Sequence, residues 1–178
     1  MKKIIVLFVL LANLFGHQRV ISVKENLYWL RHKINRSQYE IMVKVWNYAK
    51  PYNLQYTATA IAWQESRFGV WLHNLKDPSC GVFHQLLPDL ADRYKIPANM
   101  WNMSRLCDNL MFFDYAFKTF IDTFHEKENI CFNKGYRNKS ANWRCAVESY
   151  NTYGNKIYYL NIRNKIRALR IFFKERGL

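Results

Sequence analysis

Apolar residues recur along this chain at helical spacing, and no stretch alternates convincingly in the two-residue period of a strand. Over residues 37–50 the repeat is Ile41, Val45 and Tyr48, and Pro51 ends it. Residues 55–67 (QYTATAIAWQESR) read as a second helix. Gly69, Asp77, Pro78 and Ser79 mark residues 69–80 as a loop. Pro88 opens a short helix over PDLADRYK, and Pro97 closes the region after it. Residues 104–126 predict a long helix with Leu106, Leu110, Phe113, Phe117 and Phe120 on one face. A basic polar loop over 133–142 is followed by a short helix at 143–151. A last helix at 156–174 keeps Ile162, Ile166, Leu169 and Phe173 in register. The pattern predicts an all-α fold with no internal repeat and no interdomain linker.

The N-terminus departs from this pattern. Lys2 and Lys3 precede an apolar run from Ile4 to Phe15 that only Asn13 interrupts. That run has the length of a signal-peptide core and falls short of the roughly 20 apolar residues of a comfortable bilayer span. Residues 1–21 are therefore expected to be a signal peptide or a retained signal-anchor, and residues 22–178 the folded domain. Export bears on the four cysteines, Cys80, Cys107, Cys131 and Cys145. In an oxidising compartment an even count favours disulfides, whereas in a reducing one the same residues would be buried thiols. Cys131 and Cys145 flank the polar loop and form the first expected pair, which leaves Cys80 with Cys107. Neither the cysteines nor the scattered histidines (His17, His32, His73, His84, His125) show metal-site spacing, so no metal or other cofactor is expected.

Composition narrows the function classes. The chain has 178 residues, of which 50% are hydrophobic and 17% aromatic, so it has apolar area enough to offset the entropy of ordering and is not a disordered tail. Its 27 Lys and Arg against 13 Asp and Glu give a net charge of +14, which implies an anionic partner: nucleic acid, anionic lipid or an acidic cell wall.

The chemistry concentrates in ATAIAWQESRFG. On a helix Glu65 shares a face with Ala58, Ile61 and Ala62, so its carboxyl stands at the edge of an apolar stripe. Lost hydration disfavours the charged form and moves such a group toward the range of a general acid. On these residues alone, a buried glutamate paired with Arg or Lys is an equal reading. WQESRF, then DPSCGVFHQLLP, then AVESYNTYG together resemble the soluble lytic transglycosylase and goose-type lysozyme superfamily, over about residues 55–155. The resemblance implies a lysozyme-like fold and assigns Glu65 as catalytic acid/base. It places Ser79, Gln85, Tyr150 and Asn151 in the substrate cleft, with Tyr150 touching the catalytic carboxyl. The run Gly81-Val82-Phe83-His84-Gln85 is one residue longer than the family's Gly-x-x-Gln. Gln85 is the expected match to that glutamine, with His84 as the alternative occupant. Phe83 and Trp71 are candidate platforms for sugar rings, and Trp63 is expected in the core.

The resemblance further implies a substrate, peptidoglycan glycan strands cut between N-acetylmuramic acid and N-acetylglucosamine. Ordinary glycosidases need two carboxylates. Lytic transglycosylases use one, because the muramic C6 hydroxyl supplies the nucleophile and closes a 1,6-anhydro ring. A goose-type muramidase is the alternative outcome, with Asp77 or Asp89 positioning water. A basic nucleic-acid-binding or wall-binding protein without catalysis is the reading of another class; the export segment and the absence of a nucleic-acid-binding motif argue against nucleic acid as the partner. The last helix carries Lys156, Arg163, Lys165, Arg167, Arg170, Lys174 and Arg176, either as a solvated face or as a contact for an anionic membrane surface. The expected setting is a monomer exported to the periplasm or envelope of a Gram-negative host, as a phage endolysin or as the wall-opening enzyme of a secretion or conjugation apparatus.

Overall fold

The computed structural model describes residues 19–72, 79–86, 113–151 and 155–177. Within them the chain forms six α-helices: α1 (Val23–His32), α2 (Arg36–Ala49), α3 (Gln55–Ser66), α4 (Phe113–Asn133), α5 (Lys139–Asn151) and α6 (Lys156–Glu175). A single 3-10 turn, Lys50–Tyr52, follows α2. The only other regular element among the described residues is a hairpin of two-residue strands, β1 (Ser79–Cys80) and β2 (Gln85–Leu86), paired antiparallel with Ser79 opposite Leu86. The fold is thus all-α in class, as the periodicity predicts, with one short hairpin inserted. The short helix expected after Pro88 and the first turns of the long helix at 104–112 lie outside the described residues.

α3 is the centre of the packing. Its residues from Thr57 to Trp63 are all buried, so this helix has no wet face over two turns. Small side chains at Ala58, Ala60 and Ala62 let α2 approach from one side and α6 from another. α1 also lies on α6, and α4 pairs with α5. α6 uses the predicted stripe of Ile162, Ile166, Leu169 and Phe173, and the same stripe extends one turn back to a buried Tyr158. Phe120, Phe124, Phe172 and Phe173 fill the largest volumes between these helices.

The ends of the elements are set locally. Ser22 caps α1 and Asn35 caps α2, each in a reciprocal capping box with Glu25 and Gln38 respectively. The stretch before α1 is docked as well: Ile21 N–H donates to Asn161 Oδ1 at 2.8 Å, and the Arg19 carbonyl accepts from Asn161 Nδ2 at 3.2 Å. Arg19 and Ile21, inside the 1–21 segment expected from the sequence, are thus docked on α6; residues 1–18 lie outside the described residues. A disulfide joins Cys131 near the end of α4 to Cys145 in α5, as expected, and closes a loop of 14 residues. Cys107 lies outside the described residues, and with it the second expected pair.

α3 ends abruptly. Arg67, Phe68 and Gly69 all take positive φ, at 51°, 56° and 85°. Ser66 stabilises this turn by donating its hydroxyl to the Ala62 carbonyl (3.1 Å) and accepting from Gly69 N–H (2.9 Å). Gln38 Nε2 donates to the Arg67 carbonyl at 2.9 Å. A Cβ on Gly69 would lie 2.8 Å from Ile41 Cδ1. Left-handed backbone costs a non-glycine residue about 1–2 kcal/mol. Gly69→Ala is expected to lower unfolding stability by that amount, read from urea denaturation; an unchanged midpoint would show that the turn relaxes freely.

Candidate active site

Glu65 is the penultimate residue of α3, so its carboxyl emerges where the buried helix stops. Its side chain is 13% exposed. Tyr158, one turn into α6, donates its hydroxyl to Glu65 Oε1 at 2.6 Å. Burial and the Glu65 charge push the Tyr158 phenol well above its usual range, so it remains a proton donor across the physiological range. Tyr150, from α5, is raised well above its usual range for the same two reasons, burial first and the Glu65 charge second. Its ring lies against Phe120 at 5.6 Å, and its hydroxyl stands 3.4 Å from the Phe83 carbonyl. Tyr150 is thus within the electrostatic reach of Glu65, where the resemblance implies direct contact, and Tyr158 hydrogen-bonds the carboxyl.

The hairpin delivers the other flank. Gly81 to His84 form its turn, pinned by Gly81 N–H to the Leu72 carbonyl (2.9 Å) and by His84 N–H to the Gly81 carbonyl (3.2 Å). His84 closes the turn at φ 46°, a conformation its Cβ disfavours. Its ring lies between Glu65 and Trp71: Nδ1 is 3.9 Å from Glu65 Oε2, and Nε2 is 2.5 Å from the Trp71 carbonyl oxygen. A carbonyl only accepts, so Nε2 carries the hydrogen. Nδ1 is then the ring nitrogen that faces the carboxyl.

The remaining sequence candidates divide clearly. His84 stands beside Glu65, whereas Gln85 follows in β2 with both carboxamide atoms buried and without hydrogen-bond partners among the described residues. Ser79 is buried in β1 at 4% exposure. Phe83 is a correction: expected as a surface for a sugar ring, it is 1% exposed and stacks on Phe120 at 4.5 Å, because the turn folds it inward while His84 points to the site. Trp71 keeps the platform property, being half exposed, with the Arg67 guanidinium 4.2 Å from its ring centroid. Trp63 is in the core, as expected. Asn151 is exposed at the end of α5 and accepts from Asn155 at 3.4 Å. Asp77 and Asp89, the candidates for water positioning, lie outside the described residues. Glu148 forms an ion pair with Arg144 at 2.8 Å.

A buried amine backs the site. Lys165, two turns beyond Tyr158 on α6, donates to Gln64 Oε1 at 2.8 Å and lies 5.2 Å from the Trp63 ring centroid. Burial lowers its pKa to about 8, the Arg67 charge adds to this, and Glu65 opposes it. Between pH 8 and the ordinary lysine value of 10.5, the unfolded chain holds the proton that the folded chain has lost. Folding stability therefore rises with pH through that window, and the penalty is complete below it. Lys165→Met is expected to remove this pH-dependent component, worth roughly 3 kcal/mol across the window. Denaturant titrations of both proteins from pH 7 to 10.5 check it; parallel curves would show an amine that stays charged.

No family model matches the chain, and neither does any curated protein or solved structure.

Proposed function

We propose that the protein is a peptidoglycan-cleaving lytic transglycosylase of lysozyme-like fold, with Glu65 as its single acid/base. The observation that carries this reading is the setting of Glu65. One carboxyl oxygen is held by a phenol that stays protonated, and the other lies 3.9 Å from the Nδ1 of His84. A helix buried from Thr57 to Trp63 fixes the group, and only a small part of the side chain reaches solvent. This suits a carboxyl that alternates between acid and base.

In the proposed reaction Glu65 first protonates the oxygen that leaves N-acetylmuramic acid. The resulting carboxylate then accepts the proton of the muramic C6 hydroxyl as that oxygen attacks C1, closing the 1,6-anhydro ring and restoring the acid. Tyr158 holds Oε1 in place through both steps, since its hydroxyl donates to a carboxylate and to a carboxylic acid alike. His84 Nδ1, 3.9 Å away, flanks the other carboxyl oxygen. Trp71, whose carbonyl meets His84, supplies an exposed ring against Arg67. The Cys131–Cys145 disulfide favours an oxidising compartment and so agrees with export to the periplasm.

Mass analysis of digested peptidoglycan tests the reading. Products with 1,6-anhydro-muramic ends are expected; reducing ends would make the enzyme a muramidase, and undigested wall would remove catalysis from the proposal.

A further inference from the structure

The cations of α6 are not one solvated face. Lys165 turns inward, and Arg176 lies over Phe172 at 4.4 Å. Arg163, Arg167 and Arg170 instead share one side, at offsets of four and seven residues, and line a cavity of about 790 Å³. Lys139, the first residue of α5, adds a fourth positive charge at the same cavity. Its walls include Tyr56 and Trp143, the latter fixed by an Nε1–H bond to Thr57 Oγ1 at 3.0 Å. The cavity sits at the N-terminal end of α3, eight residues from Glu65, roughly 12 Å along the helix at 1.5 Å per residue.

Two features of this cavity favour an anionic ligand. Like charges three and four residues apart on a helix repel. Among the described residues none of the four cations pairs with a carboxylate, and the one glutamate in the lining, Glu128, faces His125 at 3.0 Å. Arg163 Nε is buried and has no hydrogen-bond partner among the described residues, which is costly for a donor. The guanidiniums open to a ligand from the cavity are the exposed ones of Arg167 and Arg170.

We infer that this cavity is a binding site for a phosphate-bearing ligand, separate from the Glu65 site. Guanidinium groups match phosphoryl oxygens through paired N–H donors, and a dianion answers an excess of three positive charges better than a single carboxylate does. The volume exceeds that of a phosphate alone and accommodates a headgroup or a sugar phosphate whose carbon skeleton lies against Trp143 and Tyr56.

Calorimetric titration of the full chain with inorganic pyrophosphate at fixed ionic strength is the test. One saturable site is expected, weakened at least tenfold in Arg163→Met/Arg167→Met. Arg167→Gln/Arg170→Gln, which changes only exposed side chains, is expected to weaken it as well, and serves if the first variant does not fold. Lys24→Gln/Lys33→Gln removes two exposed charges elsewhere and is expected to leave the affinity within about twofold; Glu65→Gln should leave it unchanged. Absence of saturable binding, equal weakening by the Lys24/Lys33 control, or equal affinity for the dicarboxylate malonate would each overturn the inference. Flotation with phosphatidylglycerol vesicles identifies the source. Recruitment that pyrophosphate competes away supports a lipid headgroup, and pyrophosphate binding without recruitment supports a soluble phosphoryl compound.

Discussion

Glu65→Gln is expected to reduce peptidoglycan cleavage by about a thousandfold or more, while the folded structure persists. General acid–base catalysis by a positioned side chain contributes roughly 10²–10⁴ in rate, and here one group serves both half-reactions. The substitution is close to isosteric. The Gln oxygen still accepts from Tyr158 O–H, so the 2.6 Å contact with α6 has a substitute and the turn at Arg67 to Gly69 keeps its bonds. What disappears is the exchangeable proton. The measurement is release of muropeptides by the variant and the parent at equal concentration, with thermal unfolding of both recorded alongside. Cleavage retained within tenfold by a folded variant would end the assignment of Glu65 as acid/base, whatever the products are. A variant that unfolds instead would place Glu65 among the structural residues.

How much of this was legible in the sequence depends on the kind of signal. The inward position of Glu65 follows from its offsets to Ala58, Ile61 and Ala62, and the structure shows those three residues buried. The disulfide between Cys131 and Cys145 follows from the polar loop they flank. Helix α1 is absent from the periodicity reading although Val23, Leu27 and Leu30 pack on the core; of these only Leu30 is fully buried. Its start was nonetheless written as Ser22-Val23-Lys24-Glu25, a capping box. Tyr158 was equally readable, lying one turn before Ile162 on the apolar stripe of α6, but a tyrosine there also reads as core. That His84 stands beside Glu65 was not readable. It depends on a turn whose closing residue takes φ 46°, and sequence spacing says nothing of the direction a left-handed residue gives its side chain. Phe83 was misread for the same reason. The grouping of Arg163, Arg167 and Arg170 is plain from their offsets, whereas the contributions of Lys139 and Trp143 require α5 to fold back onto α6.

Phe83→Ala is expected to cost about 3–5 kcal/mol of stability and to lower activity even where the protein remains folded. The ring is 1% exposed, lies nearly parallel to Phe120 at a centroid distance of 4.5 Å, and also touches Phe117. Truncating such a ring removes its transfer free energy and leaves a cavity that neighbouring aromatics fill poorly. In a domain of this size the loss corresponds to a fall in Tm of roughly 10 °C. The effect on activity has a separate cause. Phe83 is the inward anchor of the four-residue turn, and the next residue is His84, held in a disfavoured backbone conformation against Glu65 and the Trp71 carbonyl. Strain of that kind persists only where the surroundings enforce it. Without the anchor, His84 is expected to relax toward ordinary backbone angles and carry its ring away from Glu65. Phe83→Leu, which keeps most of the buried volume, should retain most of the activity and the larger part of the stability. Urea denaturation and muropeptide release, both at 25 °C, separate the two effects. If Phe83→Ala loses the stability but cleaves at the parental rate, the placement of His84 does not matter to the chemistry, and Glu65 with Tyr158 suffices.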